Sequence, residues 1–183
     1  MVVGTAIAFA ISFKMLEQVL GIASPWLWLL LMFYFLGLAK VAEPLFVLRM
    51  PALLHGIRPE EHSGDIYLKL GVYSFGRFLR DTPLRYLNTS VYIAHAHRDL
   101  GKVCRQAESA EATHFWAAIL FTPYITFLVV AGQPGIAGLF LLIQVLFNVY
   151  PILHLRAVRA RLEPIRDRQH GRSTRTNALG GVK

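Results

Sequence analysis

The chain has 183 residues, is 55% apolar and only 16% charged, and carries a formal charge of +8. Its mean hydropathy is +0.45, and its apolar residues are gathered into long runs, which excludes an ordinary soluble domain and points to an integral membrane protein. The single cysteine, Cys104, excludes an internal disulfide and sits in no metal or redox motif.

The first predicted element is a helix over about 2–20, opening MVVGTAIAFAISF. Ala8-Phe9-Ala10 gives it a likeness to a signal peptide, but it has no basic leading stretch and apolar sequence resumes just after it. It is therefore expected to stay as a membrane helix. Further spans are expected over 26–48, 115–131 and 136–153. At about 1.5 Å per residue, each of these lengths crosses or nearly crosses about 30 Å of hydrocarbon. Lipid leaves backbone polar groups no water partner, so the spans are predicted as helices. GIASP joins the first pair and GQPG the second, both rich in turn residues. The fold class expected is all-α: about four transmembrane helices in two hairpins, in a single membrane domain over 1–165.

Between the hairpins lies a polar segment, 49–114, and after them a polar stretch from 154 onward. Of nineteen Lys and Arg residues, nine fall in the first of these and eight in the second, while the hairpin turns hold none. The positive-inside bias puts both termini and the middle segment in the cytoplasm of a multi-pass cell-membrane protein. Within the middle segment Leu68, Leu70, Val72, Phe75 and Phe78 suggest one apolar stripe, and Val91, Ile93, Leu100 and Val103 another. Both are read as amphipathic helices lying on the membrane surface. The basic run over 166–183 is read as a disordered tail.

Ionisable groups within spans stand out because each is expensive in hydrocarbon unless paired. Lys14 with Glu17 and Lys40 with Glu43 are spaced i,i+3 on a helix face and read as self-neutralising pairs, the second also as a candidate site wall. Glu111 and His114 are spaced the same way where the third span begins. A carboxylate beside an imidazole orients it and stabilises its protonated form, which suits a general base. The same two residues equally fit an interfacial pair satisfying each other or a helix end.

A further group lies at the end of the last span, NVYPILHLRAVRARL. Asn148 places an amide in hydrocarbon, where it needs a partner. Arg156, Arg159 and Arg161 follow, and guanidinium groups grip phosphate or carboxylate; the plainer reading is an anchor on anionic lipid. Seven histidines raise the question of a metal, but the H-x-H of His95 and His97 is a weak signal and no histidine-rich box occurs, so no metal is expected. His55, His62, His95 and His97 are read as surface residues. No G-x-S-x-G, P-loop or H-E-x-x-H is present, and a basic tail without a basic folded module does not argue for nucleic acid.

AEATHFWAAILFTPYI, with Glu111 and His114, and NVYPILHLRAVRARL, with Asn148 and the three arginines, together resemble the glycosyl-4,4'-diaponeurosporenoate acyltransferase family of carotenoid biosynthesis, over roughly 104–162. The resemblance implies transfer of a fatty acyl group onto a hydroxyl of a glycosylated carotenoid or other glycolipid. It implies an acyl-CoA or similar donor as co-substrate and no bound cofactor. His114 would deprotonate the hydroxyl, Glu111 would orient it, and Asn148 would donate to the developing oxyanion. Arg156, Arg159 and Arg161 would hold the donor's phosphates or an acidic end of the acceptor. Two other readings of the same residues stand beside it: a non-enzymatic lipid-binding or assembly protein, and a transferase acting on another isoprenoid or phospholipid.

Overall fold

A computed structural model describes residues 2–21, 23–42, 48–83 and 100–180. Among these the structure is helical, with no strand. The long helices are α1 (Val2–Leu20), α2 (Pro25–Ala42), α6 (Leu100–Val130), α7 (Pro134–Gln144) and α8 (Tyr150–Gly180), with a π-helical turn over Val145–Val149. Shorter ones, α3 (Ala52–His55), α4 (Asp65–Lys69) and α5 (Val72–Asp81), lie in the middle segment beside a 3-10 turn, Pro59–Glu61. The pair Lys40 and Glu43, and His95 and His97, lie outside the residues whose side chains are described.

Helix ends and apolar runs do not coincide. α6 starts at Leu100, well before the apolar stretch expected from 115, because nothing between breaks a helix. At the other end the expected span over 136–153 continues into α8, and the helix runs on through 166–180, where the sequence pattern predicts disorder; no proline interrupts it after Pro164. Composition marks where hydrocarbon ends, whereas helix ends are set by turn residues such as those of GQPG.

Two stretches, Leu100–Val130 and Pro134–Ile165, are long and apolar enough to cross a membrane, and a shorter apolar helix covers Pro25–Ala39. Only 17% and 22% of the two apolar windows is buried, where the core helix of a soluble protein would be mostly buried. Val19, Val130, Phe127 and Leu120 stand 81%, 82%, 60% and 62% exposed. So large an outward apolar surface is unfavourable in water and suits lipid. These features suggest a membrane protein.

The described residues form two compact units. The first comprises 1–50 and 109–152. Its core joins α2, α6 and α7 through Met32, Phe121, Leu128, Ala137 and Phe140. Trp28 stacks on Tyr124 at 4.8 Å between ring centroids, and Phe33 meets Phe147 edge-on at 5.0 Å. Lys14 and Glu17 pair at 3.0 Å on the surface of α1.

The second unit comprises 51–108 and 153–183. Its core is Tyr67, Val72, Ala157 and Ala160, flanked by Ile57, Tyr73 and Leu153. The apolar stripe read from the sequence is only partly this face. Val72 is fully buried, but Leu68, Leu70 and Phe78 are 65%, 46% and 54% exposed. The reason is local: Gly71, with φ of +69°, breaks the run into α4 and α5, so a single helical period does not carry through.

Candidate functional site

In the first unit a polar seam runs through otherwise apolar surroundings. Glu111, His114, Ala118 and Thr122 recur at three- and four-residue intervals and so share one face of α6. Pro123 has no N–H to offer the Ile119 carbonyl. One residue earlier, the Ala118 carbonyl accepts from Thr122 Oγ1 at 2.7 Å and from Gln144 Nε2 at 2.8 Å. Side chains thus add hydrogen bonds to the backbone near the proline.

Gln144 in turn accepts from Asn148. The Asn148 Nδ2 group donates to Gln144 Oε1 at 2.8 Å and to the Met32 sulfur at 3.4 Å. Asn148 is fully buried and Gln144 is 6% exposed. The π-helical turn that carries Asn148 has a sequence cause in Pro151. Its ring crowds the Phe147 carbonyl and supplies no N–H to it, and the chain widens, with the Tyr150 N–H bonding back to the Val145 carbonyl.

Into this opened turn comes His114. Its ring faces the Asn148 side chain and the Phe147 backbone. Two atoms of the nest, His114 Nδ1 and Asn148 Oδ1, are enclosed without a hydrogen-bond partner among the described residues. Polar atoms so placed are uncommon and are unfavourable for folding alone. Glu111, one turn back on α6, is also fully buried.

The arginines belong to the second unit, and protein groups already engage them. Arg156 forks onto Glu61 through Nε at 2.7 Å and Nη2 at 3.0 Å. It also donates to the carbonyls of Leu54 and Gly56, at 2.6 and 2.5 Å. Glu61 further accepts from the Tyr67 hydroxyl at 2.6 Å and the Arg58 N–H at 3.3 Å. Partial burial pushes the Glu61 carboxyl up, but hydrogen bonds from Arg156, Tyr67 and Arg58 outweigh it and hold the carboxyl below its usual range. Arg159, 2% exposed, donates to the His55 carbonyl at 2.9 Å and to Glu163 at 3.4 Å. Arg161 lies over the Tyr73 ring at 4.4 Å and is exposed.

The family model for glycosyl-4,4'-diaponeurosporenoate acyltransferase matches residues 51–168, nearly two thirds of the chain. The chain belongs to that acyltransferase family. No curated protein and no solved structure matches it. The family match begins about fifty residues before the stretch in which the sequence motifs resemble it, and so takes in α3, α4 and α5.

Of the residues singled out in the sequence of this family member, His114 and Asn148 are brought face to face, and Glu111 shares the His114 face of α6. The Asn148 amide, expected as a donor to an oxyanion, donates here to Gln144 Oε1 and the Met32 sulfur. Arg156 and Arg159 lie in the second unit, where acidic side chains and backbone carbonyls engage them. Sequence reasoning missed Gln144, Pro151 and Glu61. Gln144 had a signal, a second amide in the apolar run four residues before Asn148. Glu61 had none, since its partner is 95 positions away.

Proposed function

We propose that this acyltransferase moves a fatty acyl group from an acyl-CoA or similar thioester onto a hydroxyl of a glycosylated carotenoid or related glycolipid. The observation that carries the reading is the enclosed His114 imidazole, with Nδ1 unpartnered, beside the tethered Asn148 amide. The tautomer that carries its proton on Nε2 leaves the lone pair on Nδ1.

In the reaction His114 Nδ1 takes the acceptor's hydroxyl proton as the oxygen attacks the thioester carbonyl. The tetrahedral intermediate collapses, the carbon–sulfur bond breaks, and the departing thiolate takes up the proton from the imidazolium. Ester and thiol are the products. Asn148 and the Phe147 carbonyl position the ring, and Gln144 fixes the amide. Glu111, buried on the same helix face, favours the imidazolium that forms. A base at this depth suits an acceptor with a polar head and a lipid body. The excess of Lys and Arg in 49–114 and after 154 supports a multi-pass arrangement with that end in the cytoplasm, where a thioester donor would arrive.

The test is His114→Ala in cells, with lipid extracts compared by mass spectrometry, followed by kinetics on purified enzyme. Acylated product is expected to fall by about 10²–10⁴-fold, with the unacylated precursor accumulating. Full retention of product removes His114 as the base.

A further inference from the structure

α2 lies outside the family match, which opens at residue 51, yet it reaches the nest. Two consecutive residues of α2 hold two consecutive residues of the π-helical turn. The Met32 sulfur accepts from Asn148 Nδ2 at 3.4 Å, and the Phe33 ring meets Phe147 edge-on at 5.0 Å. One turn earlier on the same helix, Trp28 stacks on Tyr124 of α6 at 4.8 Å. α2 is thereby clasped both to the helix that carries His114 and to the turn that carries Asn148.

Met32 is 4% exposed and belongs to the core with Phe121, Leu128, Ala137 and Phe140. For filling that core a leucine would serve about as well, since the two side chains are close in volume. What leucine lacks is an acceptor, because only the thioether sulfur takes a weak hydrogen bond. Asn148 has a use for it: an asparagine amide turns broadly about χ2 unless something holds it. The bond to Gln144 Oε1 comes from four residues back along the chain and fixes one direction. The bond to Met32 comes from another helix and, with the first, fixes the plane of the amide. Together they also set which end of the amide is left over. The amino group is turned to Gln144 and Met32, while Oδ1 stays enclosed without a hydrogen-bond partner among the described residues.

We infer that Met32 is a positioning residue of the nest, its sulfur holding the Asn148 amide in the plane that seats the His114 ring. This role rests on the acyl-transfer reading above, and it makes α2 a working wall of the site as well as an apolar helix.

The test uses the full chain in non-ionic detergent, with glycosyl-4,4'-diaponeurosporenoate as acceptor and palmitoyl-coenzyme A as donor. Met32→Leu is expected to lower kcat roughly tenfold, with the acceptor KM little changed and melting close to wild type. Met32→Gln, whose Oε1 can accept from Asn148, is expected to keep more of the activity while melting lower, because it puts an amide into an apolar core. A residue that only filled space would rank the two variants alike in both measurements. On Asn148→Ala, Met32→Leu should have little further effect, since the group it acts through is gone. A second readout needs no substrate. Asn148 is one of three asparagines in the chain, so nitrogen-15 asparagine labelling resolves its side-chain amide, whose resonances should shift in Met32→Leu. Full turnover in His114→Ala removes the proposed base but leaves that shift to be read, so the two claims fail separately. The inference is overturned if Met32→Leu keeps the wild-type kcat, if the Asn148 resonances stay in place, or if the loss is undiminished on Asn148→Ala.

Discussion

Asn148 donates to Gln144 at 2.8 Å from four residues along the chain, and Gln144 donates across to the Ala118 carbonyl of α6 at 2.8 Å. The amide that faces His114 is thus fixed at second hand, by a residue that never touches the imidazole's open nitrogen. Gln144→Leu keeps the volume and removes both bonds. Acyl transfer is expected to fall by about 10–100-fold through kcat, with the acceptor KM little changed. Gln144→Glu, which keeps an acceptor for Asn148, is expected to retain more. Steady-state kinetics of the two variants check this, and equal loss in both would mean that Gln144 acts only by filling space.

Pro151 acts on the same amide through the backbone. Pro151→Ala restores the N–H that the Phe147 carbonyl lacks and removes the ring that widens the turn. The expected result is an ordinary α-helical turn, melting at or above the wild-type temperature, with activity lower by on the order of 10²-fold because Asn148 is re-aimed. Paired melting curves and rates check it, and a variant both stable and fully active counts against the positioning role.

Gly76 is a steric matter. Adding a methyl group there meets the His154 ring, so Gly76→Ala is expected to destabilise by about 1–3 kcal/mol despite alanine's better helix propensity. His154→Ala in the same chain should recover most of that, and a double-mutant cycle on denaturation midpoints measures the coupling.

Glu61 gives the second unit a pH dependence with a definite sign. Its carboxyl is held below the usual range when folded, so its stabilisation is complete above the unfolded carboxylate value of about 4.3. It is lost as pH falls through the lower folded value. Melting temperature should stay level from neutral pH to about 5 and drop below about 4. Glu61→Gln should flatten the acid limb. At neutral pH, Glu61→Ala should be destabilising by about 3 kcal/mol, since it strands the Arg156 fork.

Much of this was legible in the sequence, for a physical reason. Hydrocarbon admits helices and rejects isolated polar groups, so His114 and Asn148 were visible as exceptions within apolar runs. The all-helical character followed from the same constraint. What the sequence hid depends on pairing at a distance. Arg156, Arg159 and Arg161 looked like one open cluster because spacing along α8 shows proximity to one another. It does not show that Glu61 and the carbonyls at 54 and 56 occupy the first, or that the third leans on Tyr73. Leu68 and Leu70 fall into one apolar stripe with Val72 and Phe75 in the sequence because a periodic pattern does not register the left-handed backbone at Gly71.

The carboxylate at 61 also sets how far the chain can be shortened from its front. Arg156 draws on Leu54, Gly56 and Glu61 in turn, and the family match opens at residue 51, three positions before the first of these. A cut before 51 leaves these three partners in place, and a cut past 61 removes all three from the α8 guanidinium at once.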